Sequence, residues 1–384
     1  MEIIGIICEY NPLHLGHKKQ IDSIRSAYPD SGIVCLMSGN YVQRGAPAIL
    51  DKSLRAKAAI ACGADLVLEL PVTASLSSAE GFAREGVRIL GNFCSRLCFG
   101  AETASGDMLM ATATALLSPN FPEYLHRELD KGLSFPAARE AALQAMGLKN
   151  ATLSSPNDIL ATEYCKAILA LNSAMKPMPI VRQGNYHLTT ADPDNPSATA
   201  VRNLMLDGSN WAAYIPEQAK NCLQGAALHT LSAGEQAILY RLRTMQDEEY
   251  AALPYGSEGL WRKLMHNART LPTLEEILTA TKSKRYTRTR LDRMVLCAFL
   301  GITEKDIASP APYTRVLAIN DTGREILKIA RNTGWFPNAG EVTDSSYQQL
   351  EHRAGLLYSL FAQQGSAYLL QEEDRRIVYQ RTGR

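Results

Sequence analysis

The hydrophobic pattern changes period repeatedly along the first half of the chain. Glu2-Ile3-Ile4-Gly5-Ile6-Ile7-Cys8 is a near-continuous apolar run, the pattern of a strand buried on both faces. Gly32 to Ser38 repeats it, as does Asp65 to Leu70, which Pro71 stops. Shorter runs at Arg96 to Gly100 and Met178 to Arg182 predict two more strands. Between them the period becomes helical. His14 to Tyr28 places Ile21, Ile24 and Tyr28 on one face, and further helices are predicted over 51–62 and 78–90. Such alternation predicts a parallel sheet covered by helices on both sides, with ligands bound beyond the carboxyl ends of the strands. From about Leu204 strand signals thin out. Helical patterns occupy 213–223, 232–251, 257–267, 273–281, 286–300 and 348–370, with one short strand expected at Arg315 to Ile319 before the turn Asn320-Asp321-Thr322-Gly323. The expected architecture is therefore α/β over residues 1–208, followed by a mainly helical domain over 209–384, the boundary falling within 205–215.

Composition narrows the function classes only a little. With 384 residues, 46% hydrophobic and 21% charged, the chain has ordinary globular composition and room for two or three domains. A formal net charge of +1 excludes a global polycation. Residues 1–200 carry 17 Lys+Arg against 19 Asp+Glu and residues 201–384 carry 23 against 20, so any anionic partner is weakly favoured by the second half. Most of the eight cysteines lie in apolar runs, which predicts buried reduced thiols. Cys94 and Cys98 are four apart, but no partner at zinc-site spacing follows, so no metal site is expected. No apolar run approaches the ~20 residues that span a membrane, and no basic segment leads into a signal core. A cytoplasmic protein without a membrane or protein partner is expected.

The strongest chemical signal follows the first strand: Ile7-Cys8-Glu9-Tyr10-Asn11-Pro12-Leu13-His14-Leu15-Gly16-His17-Lys18-Lys19-Gln20. His14 and His17 are three apart at a helix start, so both imidazoles face one side of the first turn. The unpaired N–H groups there favour phosphate, and each imidazole can donate to phosphate oxygens as charge builds in a transition state. Gly16 would let a flat base lie against the helix backbone. Two exposed polar residues capping a helix is the bland alternative, and the location directly after the first buried strand argues against it. A second signal is Ser197-Ala198-Thr199-Ala200-Val201-Arg202. A Ser/Thr turn opens a helix and Arg202 sits three residues after Thr199, which suits polyphosphate. Alone this reads equally as an ordinary N-cap with a surface arginine; beside the first motif it fits a site that holds both ends of a triphosphate.

H-x-G-H followed by S-x-T-x-x-R resembles the nucleotidyltransferase superfamily that includes adenylyltransferases and, more distantly, class I aminoacyl-tRNA synthetases. Further stretches resemble the tRNA(Met) cytidine acetate ligase family in particular. They are Gly39-Asn40-Tyr41-Val42-Gln43-Arg44-Gly45-Ala46-Pro47-Ala48, Gly63 to Pro71, Phe99-Gly100-Ala101-Glu102, Ser155-Pro156-Asn157-Asp158-Ile159-Leu160 and Lys284-Arg285-Tyr286-Thr287. The resemblance covers nearly the whole chain. It departs at Leu13 and Leu15, where family members often carry other residues.

The resemblance implies a Rossmann-like HxGH nucleotidyltransferase domain and a two-step reaction. Acetate and ATP give acetyl-adenylate and pyrophosphate, and the acetyl group then passes to N4 of the wobble cytidine of elongator tRNA(Met). Carried over by position, residues 7–20 wall the ATP site and Gly100, Asn157 and Arg182 complete it, with Mg2+ accompanying the triphosphate. Read without the resemblance, Asn157 is also a helix cap and Arg182 also a surface ion-pair residue. Asp158 is open between a magnesium ligand and a solvated acid at a helix start.

The signal for RNA is Lys282-Ser283-Lys284-Arg285-Tyr286-Thr287-Arg288-Thr289-Arg290-Leu291-Asp292-Arg293, with six basic residues in twelve positions. Lys282, Lys284, Arg285, Arg288, Arg290 and Arg293 can neutralise phosphates, and Tyr286 can stack on a base. On charge alone a solvated basic face fits equally well; the resemblance favours RNA. The rival functions are a small-molecule adenylyltransferase joining AMP to a phosphorylated metabolite, and a nucleotide-binding regulator without catalysis. The ~180 additional residues with a basic helix speak against the first, and the intact histidine pair against the second.

Overall fold

In the computed structural model the described residues are 1–102, 105–133, 135–148, 153, 155–181, 192, 195–283, 286–333, 345–363 and 376–381. The strands are β1 (Ile3–Cys8), β2 (Gly32–Ser38), β3 (Tyr41–Val42), β4 (Ala46–Pro47), β5 (Leu66–Leu70), β6 (Arg96–Ala101), β7 (Lys176–Val181), β8 (Val316–Asn320) and β9 (Val378–Gln380). Seven of them form one sheet in the order β7-β6-β1-β2-β5-β8-β9. The first five in that order are parallel, as the apolar runs predict.

Alternation within β1 divides its side chains between two cores. Ile3 and Ile7 pack on one face with Val34, Leu36, Phe82 and Leu90, whereas Ile4 and Ile6 pack on the other with Ile21, Ile24, Ile33 and Cys35. The chain runs outward from β1 through β2 to β5, then returns to the other side of β1 as β6. The carboxyl end of β1 is thus a topological switch point, where open α/β sheets form their ligand crevice. Helix α1 (Leu15–Ala27) starts there.

Two features depart from the pattern reading. Helices Gly106–Leu116, Phe121–Asp130 and Phe135–Ala145 occupy a stretch for which no element is expected; in the first and third, several alanines favour a helix on propensity without a sharp apolar stripe. The short strand expected near 315–319 is present as β8, but it belongs to the main sheet. It pairs antiparallel with β5, and β9 adds beyond it. The helical core of the second half, built on Leu264, Ile277, Met294, Leu296 and Phe361, also takes in Tyr41, Val72 and Leu76 from the first half. The two halves share buried surface. No helix among the described residues is long and apolar enough to cross a membrane.

Candidate functional site

The turn between β1 and α1 is fixed by polar contacts before any ligand is considered. Tyr10 has φ +44° and is fully buried, its hydroxyl 3.5 Å from Cys35 Sγ. Asn11 Oδ1 accepts from Ile49 N at 2.8 Å, which ties the turn to the segment before α2 (Lys52–Ala61). His14 is the N-cap of α1 with extended backbone. Its Nδ1 accepts from Gly16 N at 3.1 Å, and His17 Nδ1 accepts from His14 N at 3.2 Å. The two rings stack with centroids 3.8 Å apart, and Tyr10 meets His17 edge-on at 5.0 Å. A neutral imidazole whose Nδ1 accepts carries its proton on Nε2. The reciprocal caps therefore set one tautomer in both rings and make each Nε2–H the donor directed away from the helix backbone. Gly16 is explained by the same geometry, since a Cβ there would lie 3.1–3.2 Å from the His14 ring.

The second motif reaches this turn. Ser197 caps the helix Ala198–Leu206 by accepting from Ala200 N at 3.0 Å. Arg202 donates through Nη1 to Asn11 O at 2.7 Å and through Nη2 to Thr199 Oγ1 at 2.9 Å. Two motifs separated by 191 positions are thus in direct contact. Burial lowers the Arg202 pKa, opposed by the charge of Glu9. Lys19 reaches Asn195 Oδ1 just before the same helix. Gln20 donates toward Cys98 Sγ on β6, and Lys18 pairs with Asp22.

Gly100, Asn157 and Asp158 lie toward the same edge of the sheet. The register Ile6↔Cys98 places Gly100 beside the end of β1. Asn157 donates to Glu102 Oε1 at 2.7 Å, and buried Asp158 accepts from Glu102 N at 2.9 Å, so the helix Pro156–Ala170 is pinned to the end of β6. Asp158 thus has a structural hydrogen bond of its own. Arg182 follows Val181, the last residue of β7, and lies outside the described residues.

Sequence reasoning missed Arg55. It is 0% exposed and donates to the carbonyls of Leu50, Glu9, Ser38 and Gly39. One guanidinium therefore holds the ends of β1 and β2 and the approach to α2, a use of arginine that needs its fixed fork of donors. The only signal is a basic residue amid the alanines of α2. Lys52 is likewise buried and pairs with Glu69 at 2.7 Å, while Arg315 bonds Glu69 at 2.9 Å and lies 3.4 Å from Glu351.

The basic cluster is only partly a surface. Lys282 is exposed and caps the end of the helix Leu274–Thr281. Lys284 and Arg285 lie outside the described residues. In the helix Arg288–Leu300, Arg288 is held by both Glu275 oxygens and by Asp292. Arg290 donates twice to Tyr255 O and once to Ser257 Oγ, and it lies over the Tyr286 ring at 4.9 Å. Arg293, expected to meet phosphate, is only 8% exposed. It lies over the Tyr255 ring at 5.2 Å and donates to Gln43 O at 3.2 Å. Its charge sits inside the protein, between the second half and the loop after β2.

The sequence matches the family described as HIGH Nucleotidyl Transferase over residues 1–373. It is 35% identical to the tRNA(Met) cytidine acetate ligase of Clostridium tetani, covering 94% of this chain and 96% of that one. It is 37% identical to the enzyme of that name from Clostridium perfringens, covering 87% and 88%. Thermotoga maritima TmcAL in its apo form superposes with a TM-score of 0.90 at 30% identity over the full length of both chains. The same protein bound with alpha-thio ATP superposes with a TM-score of 0.87 at 29% identity. With a histidine-capped helix start at the switch point of the sheet, and with relatives aligned along almost its whole length, the chain belongs to the tRNA(Met) cytidine acetate ligase family of the HIGH nucleotidyl transferases.

Proposed function

We propose that the protein is an ATP-dependent ligase that activates acetate as acetyl-adenylate, releases pyrophosphate, and passes the acetyl group to N4 of the wobble cytidine of elongator tRNA(Met), leaving AMP. The observation that carries the chemistry is the reciprocal histidine cap, which fixes both Nε2–H donors at a helix N-terminus beside Arg202. Donors fixed before the reaction stabilise the charge that develops on the phosphates without reorganising. In this reading residues 7–20, Gly100, Asn157, Arg182, Ser197, Thr199 and Arg202 surround ATP, and Mg2+ accompanies its triphosphate in the cytoplasm. Residues 1–208 carry adenylation, and residues 209–384 hold the tRNA. Lys282, Lys284 and Arg285 meet RNA phosphate, whereas Arg288, Arg290 and Arg293 tie the helix Arg288–Leu300 to its neighbours.

Acetate-dependent ATP–pyrophosphate exchange, run with a panel of carboxylates and with or without tRNA, tests the reading. Exchange with acetate, followed by acetate incorporation into elongator tRNA(Met), is the expected result. AMP transfer to a phosphorylated metabolite with no acetate dependence would replace it with the small-molecule adenylyltransferase.

A further inference from the structure

The loop between β2 and α2 is held from two sides. At Gln43 the N–H donates to Glu9 Oε1 at 2.8 Å, and the carbonyl accepts from Arg293 at 3.2 Å. At Gly45 φ is +78°, and a Cβ would lie 2.4 Å from Arg293 N, so the backbone sits directly against the helix Arg288–Leu300. Arg44 lies between these two fixed positions. It is exposed, and no hydrogen bond, ion pair or ring contact engages its side chain among the described residues.

Its surroundings are cationic. The peptide before Arg44 bonds Glu9, and Arg202 bonds Asn11, two residues further along the same turn. Arg44 is close enough for its charge to oppose that of Arg202. Glu9 is the carboxylate that acts on Arg202, and its Oε1 is taken by the Gln43 N–H. Two guanidinium groups on segments that both meet the Glu9–Asn11 turn, one of them exposed on an anchored backbone, suit an anion. Anchoring at 43 and 45 lowers the ordering cost of using the side chain between them.

We infer that Arg44 is a substrate-binding residue that takes a phosphate group at the junction of the two halves, opposite Arg202. This rests on the ligase reading for the identity of the phosphate. Two sources share that chemistry, the triphosphate of ATP and the backbone of the RNA acceptor.

Equilibrium binding separates them. Arg44→Ala and Arg44→Lys are titrated with a non-hydrolysable ATP analogue and, separately, with unmodified elongator tRNA(Met) at several salt concentrations. Because the side chain is exposed, its truncation leaves the loop anchors in place. The expected result for Arg44→Ala is a loss of affinity of about tenfold for one of the two ligands, as for a charge-assisted contact. A loss confined to the ATP analogue identifies the triphosphate. A loss confined to tRNA, with a salt slope reduced by about one phosphate contact, identifies the RNA. Arg44→Lys recovers part of the loss, since it keeps the charge but not the fork. Affinities for both ligands within about twofold of wild type would overturn the assignment. Binding is read without turnover, so a wild-type protein that binds both ligands but acetylates nothing would refute the ligase reading and leave Arg44 standing.

Discussion

The histidine turn and the basic helix both present clustered polar side chains, yet they use them in opposite ways. At the turn, each histidine gives one nitrogen to the helix cap and keeps the other as a directed donor. In the helix Arg288–Leu300, each arginine directs donors to the protein itself: to Glu275 and Asp292, to Tyr255 O, and to Gln43 O. A short motif with a dual-purpose side chain can be organised by folding and still serve a ligand. A run of positive charge carries no such guarantee, because a guanidinium satisfied by carboxylates and carbonyls has little left for phosphate.

The contrast is tested most strongly at the histidines. His14→Ala and His17→Ala should each raise the barrier to acetyl-adenylate formation by about 2–4 kcal/mol, read by pyrophosphate exchange. Either variant also loses part of the cap. His14→Asn separates the two roles, because asparagine is a strong N-cap residue but places no donor where Nε2 stands. It should hold its denaturation midpoint and still lose exchange. Wild-type exchange in that variant would mean that capping is all the first histidine does.

A second test addresses the joint between the two regions. Glu351 is buried on the helix Ser345–Tyr358, accepts from Val72 N at 2.8 Å and faces Arg315, Glu69 and Lys52. Burial is the main cause that raises its pKa to about 7, with Glu69 adding and Arg315 opposing. The folded protein therefore keeps a proton that the unfolded chain releases at lower pH. Its stabilising contribution is full below the unfolded-state pKa and is lost as pH rises through about 7. Wild-type stability should fall by up to about 3 kcal/mol across that window. Glu351→Gln, which keeps an acceptor for Val72 N, should show a flatter profile in denaturation midpoints taken from pH 5 to 8. Parallel profiles would remove Glu351 as the titrating group.

How much of this was legible follows the same division. Apolar runs in β1, β2 and β5 place the parallel sheet, because strands buried on both faces must be apolar almost throughout. The H-x-G-H turn is legible because its spacing and its position after β1 together specify a helix start at the ligand edge. Its contact with Arg202 is legible only as a pairing of two phosphate-type motifs; that Asn11 O is the meeting point comes from tertiary packing. Arg55 was invisible, since nothing in an alanine-rich helix shows which long polar residue turns inward to four carbonyls. The return of β8 to the sheet was hidden for a related reason. A five-residue apolar run does not show which sheet it joins.

The smallest effects, and the sharpest division within the basic cluster, are expected from single charges. Arg288 is partly exposed and held by Glu275 and Asp292, which keep its pKa above the ordinary arginine value. Replacing it with alanine should cost about 1 kcal/mol of stability or less, as for an exposed pair, and leave tRNA affinity nearly unchanged. Lys282 is exposed at the end of its helix and has no carboxylate partner among the described residues. Lys282→Ala should weaken tRNA binding modestly and reduce the salt slope by about one contact, while tRNA-free pyrophosphate exchange continues at the wild-type rate. The two substitutions remove the same charge from neighbouring positions, so bulk electrostatics predicts the same loss for both. A difference between them, measured as the slope of log affinity against log salt, shows that partner satisfaction decides which cations reach the RNA. Equal losses would mean that the carboxylates around Arg288 yield to phosphate, and that the whole run of positive charge acts as one surface.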